Sequence, residues 1–334
     1  MQAALRPMNL GEILDRTFEI YRKNFLLFAG IAALPATLVL AIHLADIGWV
    51  HTDRWFGPAN QDQGTRIAAG WFLAYGYYHI SGFLGTLFLP AFVSAVSRNL
   101  FNERNSILGS LRTLGARWRT YLWLAFLKIC AQLVVPEGLT IGMLFVSAWI
   151  FIKLGMRGDG AQFAVLMFAL IAALATAFYW IGACLAFAFP AATLEEMSAW
   201  KGLKRSRKLT RGTRGRIFVA FIMAIACALV LHGLVALLAW WIATLFYRGH
   251  TSSGYNQQLY AFVVHFFYAM VGTVVGPLYP IAVTLLYYDQ RSRKEGFDVE
   301  LMMNAAGLMT PAATVSADAA NLPPPARPVE ASRK

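Results

Sequence analysis

Long apolar runs alternate with short polar gaps along this chain. The runs lie at about 25–45, 68–97, 120–152, 161–190, 217–246 and 258–288, and the longest gap between them is 26 residues. A helix needs about 20 mostly apolar residues to cross roughly 30 Å of hydrocarbon. The pattern predicts an all-α, polytopic membrane protein with six transmembrane helices. It leaves no room for a soluble catalytic domain.

A second periodicity precedes each odd-numbered span. Asn9, with Glu12 three positions on, has the spacing of a helix N-cap. Leu10, Ile13, Leu14, Thr17, Phe18 and Tyr21 then recur at helical spacing, with charges on the other face. This predicts an amphipathic helix lying in the cytoplasmic membrane interface. A second copy starts at Ser106, with Ile107, Leu108, Leu111, Leu114 and Trp118 on one face. A third, more polar copy starts at Ser198, with Ala199, Trp200 and Leu203. Each returning span carries a proline before its cytoplasmic exit: Pro90, Pro190 and Pro280. The intervals Leu14–Pro90, Leu111–Pro190 and Leu203–Pro280 are 76, 79 and 77 residues. The expected architecture is three parallel repeats of in-plane helix, span out and span back. The divisions are 1–24 for the first in-plane helix and 25–97 for the first hairpin. Residues 98–190 and 191–288 are the second and third in-plane helices with their hairpins. A cytoplasmic helix at 289–303, broken after its first part by Gly296, precedes a Pro- and Ala-rich tail, 304–334, expected to be disordered.

Charge fixes the expected orientation. The N-terminal flank, the second and fourth gaps and the tail hold 23 Lys and Arg, and the other three gaps hold 5. Cytoplasmic loops retain Lys and Arg, so both termini are expected in the cytoplasm. The net charge of +12 belongs to short loops beside spans, where anionic headgroups account for it, so nucleic acid is not the expected partner. The first apolar run begins at Phe25, after Glu12, Asp15, Arg16 and Glu19, and is expected to stay as a signal anchor. The cysteines, Cys130, Cys184 and Cys227, lie within spans without metal-ligand spacing.

Two stretches resemble the bacterial glycerophosphoryl diester phosphodiesterase membrane-domain family. One runs from Leu5 to Phe25, LRPMNLGEILDRTFEIYRKNF, and the other from Leu285 to Asp298, LLYYDQRSRKEGFD. A weaker third match runs from Pro190 through Glu195 and Glu196 to Arg205 and Ser206. The resemblance implies a six-span module of the bacterial inner membrane. Fused members of that family carry a soluble phosphodiesterase domain whose His-Arg-Gly motif is missing from this sequence, so the activity does not carry over.

No hydrolase, nucleotide or zinc signature appears, and no cofactor is expected. The candidate ligand or polar-cavity residues are Glu137, His79, His232, His265 and Lys128, since ionisable groups inside spans are costly and often functional. Glu137 sits between Pro136 and Gly138, a pairing that suggests a helix break. Scattered interfacial histidines and a Lys128 stem reaching back to the headgroups are the plainer alternatives. The candidate headgroup contacts are Arg22, Lys23, Arg117, Arg119, Lys204, Arg205, Arg207, Lys208 and Arg211. The expected function is a non-enzymatic membrane module that engages lipid headgroups or another membrane protein at the cytoplasmic face. The alternative is a small-solute or ion transporter with a path between the repeats.

Overall fold

The computed structural model describes residues 6–49, 76, 79–134, 138, 142, 143, 145, 160–247, 254–305 and 308. The described residues are helical, with no strand among them. Five helical stretches are long and apolar enough to cross a membrane: Phe25–Ile42, His79–Leu100, Phe168–Leu194, Arg214–Leu238 and Phe262–Glu295. Of the third expected span, an α-helix and the π-helical turn Cys130–Val134 are described, and most of 135–152 lies outside the described residues. The expected disordered tail falls outside them too, apart from Asn304, Ala305 and Leu308.

In chain order the helices are α1 (Leu10–Lys23), α2 (Phe25–Trp49), α3 (Leu89–Leu100), α4 (Ile107–Ala116), α5 (Trp118–Ile129) and α6 (Gly160–Cys184). There follow α7 (Ala188–Leu194), α8 (Ala199–Thr210), α9 (Arg214–Tyr247), α10 (Gly254–Val275), α11 (Leu278–Glu295) and α12 (Phe297–Ala305). The Asn9–Glu12 capping box forms. Asn9 Oδ1 accepts from the Glu12 N–H at 2.8 Å, and Glu12 Oε2 accepts from the Asn9 N–H at 2.8 Å. Ser106 caps α4 by accepting from the Gly109 N–H at 3.0 Å. α11 ends where Gly296 takes a left-handed φ of 66°, a conformation glycine adopts without steric cost.

Each of the three prolines opens a new helical piece. Breaks at Phe88, at 185–187 and at 276–277 precede α3, α7 and α11. Proline supplies no N–H to the turn before it, and its ring crowds the carbonyl four residues back. The freed backbone groups find partners on neighbouring helices. At the second break the Ser206 hydroxyl of α8 donates to the Cys184 carbonyl at 2.8 Å and accepts from the Phe187 N–H at 3.1 Å. Near the third, the Tyr21 hydroxyl of α1 donates to the Val274 carbonyl. Burial pushes that hydroxyl up to about 12, so it stays protonated and donating.

The core lies where these short pieces meet. α3, α7 and α11 form its centre: α3 packs on both of the others, and Phe187 meets Tyr287 edge-on at 5.7 Å. Outside them sit α4 on α3, α8 on α7 and α1 on α11. Ile13, Phe28, Ala91, Phe187, Ile281 and Leu285 share one fully buried cluster. One face of α9 packs on α10, and another is bare: Leu229, Val230, Leu234 and Leu237 are exposed by 67%, 63%, 58% and 65%. A contiguous apolar surface of that kind is what hydrocarbon would cover. The described structure is helical, with several helices apolar enough to cross a membrane, consistent with a membrane protein.

The expectation for α1 needs revision. Ile13, Thr17 and Ile20 are buried, chiefly through the packing of α1 on α11. The centre of its apolar face is covered by protein and unavailable to lipid, while Phe18 remains outside at 43% exposure.

Ser206→Ala should lower stability by about 1–3 kcal/mol, because a buried carbonyl and N–H at the second break lose their partner. Thermal unfolding of the detergent-solubilised chain measures this, and an unchanged midpoint would show that the serine does not hold the break.

Candidate functional site

Most of the chemistry among the described residues is ionic and concentrated on the basic side of the bundle. Its innermost group is Asp289, whose side chain has no exposed surface. Asp289 lies on α11, two turns before Gly296. Its carboxylate accepts from the Met8 N–H at 2.8 Å, from Arg216 Nη1 at 2.9 Å and from Arg293 Nε at 3.0 Å. Arg293 Nη2 donates in turn to the Met8 carbonyl at 2.7 Å. One acid and one arginine on α11 thus hold both polar groups of Met8, and Arg216 ties in the start of α9. The N-terminal and C-terminal family-like motifs meet at this point.

A second cluster joins α7, α8 and α11. Arg205 lies between two carboxylates, with Nε 3.0 Å from Glu195 Oε2 and Nη1 2.5 Å from Glu295 Oε1. Arg291 Nε lies 3.7 Å from Glu195 and 3.6 Å from Glu295, and the Tyr287 hydroxyl donates to Glu195. Burial works against the Arg205 charge, but the Glu295 and Glu195 bonds outweigh it and raise its proton affinity. Lys294 closes the layer by donating to the Leu209 and Arg211 carbonyls at 2.9 and 2.6 Å.

These contacts divide the expected headgroup residues. Arg205 serves the ion-pair cluster. Arg117 donates to the Ala192 and Met197 carbonyls at 3.2 and 3.1 Å. Lys23 is exposed and pairs with Glu19 at 2.6 Å. Arg22, Arg119, Lys204, Arg207, Lys208 and Arg211 are exposed, and Lys204 Nζ stands 5.8 Å over the exposed ring of Trp200.

The intramembrane candidates do not form one group. Glu137 lies outside the described residues. Lys128 is 7% exposed, with Nζ 5.6 Å over the Phe189 ring, on the α5–α7 side. His265 lines a cavity of about 550 Å³ between α2, the helical residues 79–87, and α10. Ser81 and Tyr268 line it too, and Ala32, Ala36, Gly272 and Gly276 make much of the wall small and apolar. His265 is nine residues from Val274, about 14 Å by helical rise. The His232 ring lies 5.1 Å from the Tyr268 ring, and its Nδ1 is 2.7 Å from the Ala228 carbonyl. His79 belongs to the same helical stretch as Ser81.

The acids Asp289, Glu195 and Glu295 escaped sequence reasoning. A visible signal existed, since all three interrupt or border strongly basic runs. Nothing local, however, identifies the cations they meet.

No family model, curated protein or solved structure matches the chain.

Asp289→Asn should cost about 3 kcal/mol, the low end for breaking a buried ion pair, because both arginines remain partly hydrated. Thermal unfolding should show the loss, and limited proteolysis should show earlier cleavage before α1. Wild-type behaviour in both assays would remove Asp289 as the anchor of Met8.

Proposed function

We propose that this chain is a non-enzymatic module of the bacterial inner membrane that engages anionic lipid headgroups through its cytoplasmic layer of short helices. One observation carries the reading. On α8, Ala199, Gly202, Leu203, Ser206 and Leu209 are buried, whereas Lys201, Lys204, Arg207 and Lys208 point outward, and Arg211 follows them. None of these five cations forms a salt bridge among the described residues. Each basic residue near an anionic surface contributes about 1 kcal/mol. Exposed Trp200 beside Lys204 suits a headgroup boundary, where an aromatic ring can lie half in hydrocarbon.

The finer architecture belongs to the same proposal: six spans, both termini cytoplasmic and three copies of one unit. Its support is the cyclic order of contacts. The proline-opened helix of each unit packs on the in-plane helix of the next, α3 on α4 and α7 on α8. The last, α11, packs on the first, α1. The kinship with the phosphodiesterase membrane-domain family is likewise inferred, with the Met8–Asp289 junction of its two end motifs in favour. The mostly apolar wall of the cavity beside His265 offers a hydrated ion little, which weighs against transport.

Replacing Lys201, Lys204, Arg207, Lys208 and Arg211 by Gln should strip anionic lipid from the purified full-length protein. Mass spectrometry of lipids retained in nanodiscs of mixed neutral and anionic composition reads this directly. Equal retention by wild type and variant would defeat the electrostatic reading. A cysteine at position 201 should react with an impermeant maleimide in inside-out vesicles and stay protected in intact cells. The reverse result would invert the topology.

A further inference from the structure

Two of the three junctions between proline-opened and in-plane helices contain their own carboxylates. At α11–α1, Asp289 neutralises Arg216 and Arg293. At α7–α8, Glu195 and Glu295 flank Arg205 and Arg291. The third junction, α3–α4, is different. A cavity of about 420 Å³ opens there, and Arg98, Arg112 and Arg117 all line it. None of the three forms a salt bridge among the described residues. Glu196 also borders the cavity, but it is exposed and makes no ion pair with them.

The cations are placed rather than merely gathered. Arg117 is fixed by its bonds to the Ala192 and Met197 carbonyls. Arg98 lies against Gly109, where a Cβ would come within 2.7 Å of Arg98 Nη1, so the bare Cα lets the guanidinium rest there. Thr113, Tyr121 and Thr193 add hydroxyls to the lining, with the Thr193 side chain in hydrogen-bonding contact with Tyr121. Three arginines lining one cavity beside hydroxyl groups suit the oxygens of a doubly charged anion.

We propose that the α3–α4 cavity binds a phosphate monoester group, held by Arg98, Arg112 and Arg117. The group supplies from outside the negative charge that the other two junctions carry in sequence. The site rests in part on the lipid-facing role proposed above, but it lies away from the exposed face of α8. A lipid headgroup and a soluble phosphate share this chemistry, and the test separates them.

Full-length protein in neutral detergent is titrated calorimetrically with short-chain phosphatidate and, separately, with inorganic phosphate. Saturable binding near one per chain is expected for at least one of them. Binding of phosphatidate alone identifies a lipid source, and binding of both shows that free phosphate suffices. Arg98→Gln with Arg112→Gln should weaken it at least tenfold. Arg112→Gln alone should weaken it several-fold with an unchanged melting temperature, because Arg112 is exposed and makes no hydrogen bond among the described residues. The α8 variant with five Gln substitutions should bind like wild type, which keeps this site distinct from general headgroup attraction. Absence of saturable binding by both probes, or equal affinity of wild type and both arginine variants, would overturn the proposal.

Discussion

A single buried carboxylate closes the molecule. Asp289 gathers Met8 from one end of the described chain, Arg216 from the root of α9 and Arg293 from its own helix. A charge with no exposed surface persists only when donors surround it. The donors come from segments 281, 73 and 4 residues away. Satisfying this acid therefore requires α1, α9 and α11 to assemble together. The buried faces of Ile13, Ile20, Ile217 and Ile281 then come into register as a consequence of the same arrangement.

The distribution of packing follows from that placement. α11 is buried almost throughout from Leu278 to Gln290, whereas α9 away from its root packs one face on α10 and leaves the other uncovered. The spans are fastened at their basic ends, with hydrocarbon covering much of the remainder. Hydrophobic association gives little drive inside a bilayer, so helices there depend on close packing and polar bonds. In this chain the polar bonds lie mainly where the short helices meet. The α2–α10 pair is an exception, since it packs extensively along its length and encloses the cavity that reaches His265.

Local features were legible in the sequence because their causes are local. The Asn9–Glu12 box, the Ser106 cap and the stop at Gly296 each involve residues within one turn of each other. The apolar runs announced membrane helices by length alone. Positive charge was legible only as a total. Counting Lys and Arg by loop could not separate Arg205, held between Glu195 and Glu295, from Lys204, which points outward from the next position. The difference depends on Glu295, 90 residues downstream. Periodicity assigned the face of α1 to lipid for the same reason, since the competing partner, α11, lies at the other end of the chain. The prolines were legible as three matched positions, and the structure places a helix break before each of them. Where Ser206 covers the freed backbone, the hydroxyl comes from a helix that no local pattern pairs with that break.

The ionic layer also bears on what kind of membrane protein this is. A transport path requires polar groups continuous across the hydrocarbon, with weak points that can open. The described ionic groups instead concentrate in one layer and lock short helices to one another, and the cavity beyond them is lined mostly by small apolar residues. Such an arrangement fits the proposed role of a rigid cytoplasmic platform. Its acids neutralise the inward-facing arginines, and its remaining cations face outward or line the one junction where no acid pairs with them among the described residues. On the proposed reading, that division would give the platform a preference for anions presented from the membrane surface or the adjoining water.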